Sequence, residues 1–248
     1  MKYAPYSASK LGLHKQCPRK FKYRYIDKLP SEFEFSEATT KGGIMHLLLE
    51  HYAKPLKERI QEIKKDKRLT SSEFFSKEMV ASCIADIEKF NKSDLGKEIF
   101  SYQNLVNELK IGLDKRLKPV DFYDNDVVMF RGMIDAIFVN TEDDVVHIID
   151  WKSGGDKSTG QYKQTPDQLL QYAAFYFNKF PIDTIKIRYV FVEHCTESTY
   201  TLTRDNLEKY NKFLVKNIIK AEQDNIFDKI EQPLCNWCEF RDHCISDV

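Results

Sequence analysis

A chain of 248 residues, 42% hydrophobic and 31% charged, is long enough to bury a real core, as one large domain or as a domain with a sizeable insertion. Its 38 Lys and Arg balance 38 Asp and Glu, so no global charge announces a nucleic-acid partner. No apolar run reaches the roughly 20 residues of a membrane helix, and Met1-Lys2-Tyr3-Ala4-Pro5 has no hydrophobic signal core. The expectation is a cytoplasmic protein with no membrane partner. In a reducing compartment its six cysteines point to metal ligation or plain burial rather than disulfides.

Local charge is less even. Lys2, Lys10, Lys15, Arg19, Lys20, Lys22, Arg24 and Lys28 precede or follow a single acid, Asp27, within the first thirty residues. Ser7 or Ser9 can cap a short helix that stops at Cys17-Pro18, because proline disfavours helix in the residue before it. Arg19 to Tyr25 interleaves cations with aromatic rings. Such a pattern suits single-stranded nucleic acid, with phosphates on Arg19, Lys20 and Arg24, while Phe21 and Tyr25 at i, i+4 read as a core face.

A helix is expected from about Glu37 to Ala53. Gly42 and Gly43 near its start suggest close approach of backbone or ligand, and His46 and Glu50 share one face. From Pro55 to Lys118 the pattern is mostly helical, with helices over Ser72–Phe90 and Leu95–Leu117, Ser71 or Ser72 as a cap, and Cys83 buried. Strands follow at Val127–Val139 and Val145–Trp151, joined as a hairpin across Asn140–Asp144. Asp135 interrupts the first of them, and a buried carboxylate is costly unless paired or bound to a cation. After Gly154-Gly155, Thr165-Pro166-Asp167 opens a helix bearing Gln168 and Tyr172. A strand at Ile185–Val192, a short one at Ser198–Leu202 and a long helix over Arg204–Phe227 complete the pattern.

Two constellations carry chemistry. Asp150 and Lys152 point to one side of their strand and Trp151 to the other. Alone, such a pair reads better as an ion pair at a strand edge. With Asp135 on the partner strand, two acids can converge on one hard divalent cation, Mg²⁺ or Mn²⁺, and His46 from a facing helix can add a ligand. A lysine beside the cation can orient water while the metal polarises a phosphoryl oxygen, which is equipment for phosphodiester hydrolysis. The second constellation is Cys235-x-x-Cys238 with Cys244, three cysteines within ten positions. Cys17, Cys195 and His243 are all candidates for the fourth ligand. Four thiolates could hold Zn²⁺ or an iron–sulfur cluster, and spacing does not separate these.

The order Gly42-x-x-x-His46-x-x-x-Glu50, Gly132-Met133-Ile134-Asp135, Asp150-Trp151-Lys152 and Gln168-Leu169-Leu170-Gln171-Tyr172 resembles the RecB-like branch of the PD-(D/E)XK nuclease superfamily. The cysteines, one early and three late, resemble its AddB-like iron–sulfur subgroup, which includes CRISPR-associated adaptation exonucleases. The resemblance implies an α/β fold, a restriction-endonuclease-like mixed central sheet flanked by helices, with a helical insertion and a C-terminal cysteine cluster. It implies Mg²⁺ or Mn²⁺ on His46, Asp135, Asp150 and the Trp151 carbonyl, Lys152 as the catalytic lysine, and Gln168 and Tyr172 supporting the site and contacting DNA. It further implies a structural 4Fe–4S cluster on Cys17, Cys235, Cys238 and Cys244. The expected organisation is N-terminal helices over 1–54, a helical insertion over 55–120, a nuclease core over 121–230 and an iron–sulfur segment over 231–248. The expected activity is a metal-dependent DNA exonuclease acting on single strands or strand ends in recombination, repair, replication or phage DNA processing. The alternative is a non-catalytic DNA-binding or assembly subunit of a nuclease complex.

Overall fold

The structure, a computed structural model, describes residues 2–31, 36–155 and 167–246. Helices α1 (Ala8–Gln16) and α2 (Pro18–Tyr25) meet at Cys17, with Pro18 as the first helical residue of α2, a position where its missing N–H costs nothing. The Ser7 side chain caps α1 by accepting from the Lys10 N–H. Helix α3 (Glu37–Glu50) starts with a capping box: the Ser36 hydroxyl accepts from the Thr39 N–H, and the Thr39 hydroxyl accepts from the Ser36 N–H at 2.8 Å. Next come α4 (Leu56–Lys65), α5 (Lys67–Thr70), α6 (Lys77–Lys92) and α7 (Asp94–Ser101).

Ser76, rather than Ser71 or Ser72, caps α6. Ser72 is instead buried, its hydroxyl 2.7 Å from that of Thr40. The helix expected over Leu95–Leu117 ends at Ser101, and Val106–Leu113 forms strand β1. Leu109, Ile111 and Leu113 recur at period two as readily as at i, i+4, and tertiary pairing with the next strand decided between the two. Strands β2 (Phe130–Asn140) and β3 (Val145–Lys152) form the expected hairpin. Helix α8 (Asp167–Lys179) leads to β4 (Thr184–Phe191), β5 (Thr196–Thr203), the long α9 (Leu207–Gln223) and the terminal α10 (Arg241–Ser246). Thr165 and Pro166, expected at the start of α8, lie outside the described residues.

The five strands are ordered β1-β2-β3-β4-β5, and every neighbouring pair is antiparallel except β3–β4. That parallel pair needs a crossover, and α8 provides it. One face of the sheet packs on α1, α8 and α9 through Ile148, Ile187, Leu169, Ala173 and Leu214. The other packs on α3, α6 and α7 through Ile149, Trp151, Val190, Ile44, Leu48, Ile87 and Phe90. The chain is thus a mixed α/β sheet between two helical layers, consistent with a restriction-endonuclease-like fold. Among the described residues, no helix is long and apolar enough to cross a membrane.

A buried cation pins the second layer to the sheet. Arg188 on β4 is 1% exposed. It donates to both carboxylate oxygens of Glu98 on α7, at 2.7 and 2.9 Å, and to Glu197 on β5 at 2.6 Å. Burial and the neighbouring Arg188 push the His147 imidazole down to about 4, so it packs as a neutral ring against Phe138.

The glycines expected to allow close approach do so, toward side chains. A Cβ on Gly43 would lie 2.6 Å from Leu69 Cδ2, and one on Gly42 would lie 3.3 Å from the Ser153 hydroxyl. On β2, a Cβ at Gly132 would lie 2.5 Å from Cε1 of Tyr172, so the tyrosine ring occupies the space a side chain would take. Gly132→Ala should therefore cost about 1–3 kcal/mol through overpacking. Thermal unfolding checks this, at roughly 2–4 °C per kcal/mol for a chain of this size.

Candidate metal centre and cysteine cavity

The β2–β3 ladder stops short of the strand ends. Its innermost pair is Ala136 with Ile149, whereas β3 continues to pair with β4 as far as Lys152. The strands separate where Asp135 and Asp150 would face one another. The Trp151 N–H, left without a partner on β2, donates instead to Asp135 Oδ2 at 2.9 Å. The alternation of faces also slips at this level. Ile134 packs in the core under α8, Ala136 in the core under α3, and Ile137 under α8 again. On β1, Leu109 packs toward α8, while the Asn107 amide reaches the carbonyls of Leu49 and Glu50 at the end of α3. Between them, Glu108 is unpaired with Asp135 and adopts a positive φ of 51°. Two strands thus each use one residue to aim a carboxylate at the same place, a paired form of the bulges that re-aim side chains in sheets.

Helix α3 delivers the imidazole. His46 Nε2 lies 3.0 Å from the Trp151 carbonyl, and His46 Nδ1 lies 3.6 Å from Asp135 Oδ2. Asp150 is 3% exposed; the Lys152 ammonium pairs with its Oδ2, outside hydrogen-bonding geometry, and lies 5.5 Å from the Tyr189 ring centre. The Trp151 ring turns the other way, toward Phe90 and Phe100. Gln168 Nε2 lies 3.4 Å from the Tyr172 hydroxyl one turn along α8. Beside these groups a cleft of about 340 Å³ is lined by His46, Trp151, Lys152, Ser153, Gly154, Gly155 and Phe191.

Glu108 escaped the sequence reading. Ligand atoms of His46, Glu108 and Asp135 all lie within 4.8 Å of one another, the one such group of His, Cys, Asp and Glu among the described residues. The available signal was a carboxylate within an alternating apolar run, Leu105 to Leu113, which a helical reading of that segment conceals.

Burial shapes the electrostatics of this candidate site. Burial, then Asp150, pushes the Asp135 carboxyl well up. Burial, then Asp135 and Glu50, pushes Glu108 up to about 7. Burial holds the His46 imidazole below its ordinary value, keeping a ring nitrogen free to act as a ligand.

The four cysteines at 17, 235, 238 and 244 line one cavity of about 410 Å³, together with Arg19, Lys20, Lys229 and Arg241. All four are free thiols, and no three sulfurs come within 4.8 Å of one another. Burial, then the neighbouring Cys17, raises the Cys244 thiol. Cys195 lies elsewhere, packed on the α3-side core with Sγ 3.8 Å from the Val192 carbonyl. The His243 ring sits 6.3 Å from that of Tyr23. Cys83 is buried, as expected.

The cations of α2 serve this end of the chain. Arg19 Nε donates to the Phe227 carbonyl at 2.9 Å, Arg24 donates to Glu239 at 2.6 Å, and the Lys20 ammonium lies 3.2 Å from the same carboxylate. Phe21 stacks on Phe227 and Tyr25 packs on Phe21.

At one opening of the mixed sheet the structure thus sets an acid, an acid-x-lysine strand end and a helical histidine. The sequence profile of the PD-(D/E)XK nuclease superfamily matches residues 5–245, and the chain belongs to that family. Over 123 residues it is 28% identical to an ATP-dependent helicase/nuclease subunit of Clostridium novyi (strain NT), across 46% of this chain and 10% of that protein. The chain therefore spans about a tenth of the length of this relative. The crystal structure of SSO0001 aligns with 87% of this chain and 100% of its own, at 14% identity and a TM-score of 0.33.

The raised carboxyls set a sign for pH dependence. Metal-free, Glu108 and Asp135 hold protons in the fold that they would release when unfolded. They therefore weaken the fold as pH rises from the ordinary carboxylate range through about 7, the folded value of Glu108. A cation must displace those protons, so its stabilisation grows with pH. The rise in Tm on adding Mn²⁺ should be small at pH 5.5 and several degrees at pH 8. Glu108→Gln should raise the metal-free Tm at pH 8 and reduce the Mn²⁺ effect.

Proposed function

We propose that the chain is a divalent-metal-dependent deoxyribonuclease that hydrolyses phosphodiester bonds of DNA as an exonuclease on single strands or strand ends. Recombination, repair, replication or phage DNA processing would supply such substrates. The observation that carries this reading is the meeting of His46, Glu108, Asp135 and the Trp151 carbonyl at the open end of β3, the strand on which Asp150 pairs with Lys152.

The donor set suits a hard cation: His46, Glu108 and Asp135 lie within 4.8 Å of one another, the Trp151 carbonyl lies 3.0 Å from the neutral imidazole, and Asp150 stands outside that group. Mg²⁺ or Mn²⁺ bound there supplies positive charge that polarises a phosphoryl oxygen and acidifies water. The remaining work falls to side chains. Asp135 does two jobs, since the oxygen that accepts from Trp151 N–H also fixes the carbonyl of the same residue toward His46. Lys152 positions the attacking water and balances the charge of the phosphate as the new bond to phosphorus forms and the strand oxygen leaves. Gln168 and Tyr172 hold the DNA strand alongside, and Gly132 leaves room for the tyrosine ring.

We read the four cysteines lining this cavity as ligands of a 4Fe–4S cluster, with tetrahedral Zn²⁺ as the alternative. Cys17, Cys235, Cys238 and Cys244 would hold a 4Fe–4S cluster, with the surrounding cations offsetting its negative charge. The cluster would tie α2 to the chain end and act as a structural staple. Visible absorption with about four irons and no zinc per chain is the expected composition, and Cys17→Ser should lose both iron and stability. Stoichiometric zinc without iron would refute the cluster.

Asp150→Ala or Lys152→Ala should reduce cleavage of end-labelled DNA at least 100-fold in Mg²⁺ or Mn²⁺, with the fold and iron content retained. Labels at either strand end report polarity. A wild-type protein inactive across metals and substrates would instead favour a DNA-binding or assembly subunit.

A further inference from the structure

Beyond Arg19, Lys20 and Arg24, which are engaged with Phe227 and Glu239, a second surface interleaves cations with aromatic rings, and it runs into the metal centre. Across β1 and β2, Gly112 pairs with Arg131 and Lys110 with Met133; Glu108 and Asp135 follow two residues on. Residues two apart on a strand share a face, with levels about 6.8 Å apart. Glu108 lies two residues along β1 from Lys110 and Asp135 two along β2 from Met133, so the strip ends at the acids of the site. β1 is an edge strand of the sheet, and Lys110 and Met133 on this face are exposed.

The segment at Phe122 and Tyr123 folds over the outer end. The Lys110 ammonium lies 5.0 Å from the Tyr123 ring centre and 5.9 Å from that of Phe122, and donates to the Tyr123 hydroxyl. The Arg131 guanidinium lies 5.3 Å from the Phe122 ring centre, with Nη1 3.4 Å from Asn125. Tyr123 is 63% exposed and Met133 44%. The nearby acids Asp121 and Asp124 each use a carboxylate oxygen to accept from backbone N–H groups of their own turns. Large apolar faces held out to water by fixed cations, in line with a hydrolytic centre, are a binding surface rather than a core feature.

We propose that Arg131, Lys110, Met133 and the rings of Phe122 and Tyr123 form the path by which single-stranded DNA reaches the metal centre. Bases lie against Tyr123 and Met133, and phosphates meet Lys110 and Arg131. An exposed ring offers its face to unpaired bases, which a duplex keeps inside its own stack, so the path selects single strands. The proposal rests on the nuclease reading above.

The test is fluorescence anisotropy of a labelled single-stranded oligonucleotide with the Asp150→Ala protein, across a salt series. Tyr123→Ala in that background should weaken binding about tenfold, while Tyr123→Phe, which keeps the ring face, should bind like its parent. Lys110→Ala should also weaken binding and flatten the slope of log K against log salt by about 0.7. Lys212→Ala, on the exposed side of α9, serves as a control. Parent-like binding by both Tyr123→Ala and Lys110→Ala would overturn the path and leave the nuclease reading standing. A parent that binds no DNA would overturn both.

Discussion

The site depends on a hydrogen bond that the sheet declines to make. Where β2 and β3 part, the Trp151 N–H has no ladder partner, and the Asp135 carboxylate takes its place. That one contact aims the Trp151 carbonyl at His46 and holds Asp135 beside Asp150. A buried carboxylate next to another is unfavourable by itself, so the arrangement persists only because the surrounding sheet enforces it. Glu108 intensifies the conflict, entering from β1 at a left-handed backbone position with its carboxyl pushed up to about 7. A cation bound there would offset both the burial and the repulsion of these carboxylates.

The two helical layers divide the labour. The α3 side contributes His46 and receives the Trp151 ring, which anchors the strand end among Phe90 and Phe100. The α8 side contributes Gln168 and Tyr172, set against β2 by the bare backbone of Gly132. Arg188 joins α7 to β4 and β5 through Glu98 and Glu197, fixing the second layer against the strand that neighbours the site. At the far end, cysteines from the start and the end of the chain share one cavity, and α2 is bound there by Glu239 and the Phe227 carbonyl.

Much of this was legible in the chain itself. The hairpin of β2 and β3, the helices α3 and α8, the strand after α8 and the long α9 follow from period and punctuation. So do the positions of His46, Asp135, Asp150, Lys152 and Tyr172. Segment 106–113 misled, because Leu109, Ile111 and Leu113 satisfy a helix and a strand equally, and Glu108 was lost with it. The intramolecular partners of the α2 cations were not legible either: interleaved charge and aromatics look alike whether they meet phosphate or a carboxylate such as Glu239, which arrives 215 residues after Arg24.

By itself, the amino-acid sequence determined which groups were present and which faces of which elements carried them, since periodicity and turn chemistry act over a few neighbouring residues. It also singled out Cys235, Cys238 and Cys244, with Cys17, Cys195 and His243 as candidates for a fourth ligand. Only the tertiary structure selected Cys17 over Cys195 as the residue sharing that cavity, turned 106–113 into an edge strand, and brought Glu108 to His46 and Asp135. Those outcomes depend on pairing between segments far apart in the chain. The balance of burial, charge and hydrogen bonding that decides such pairing exists only once the segments have met.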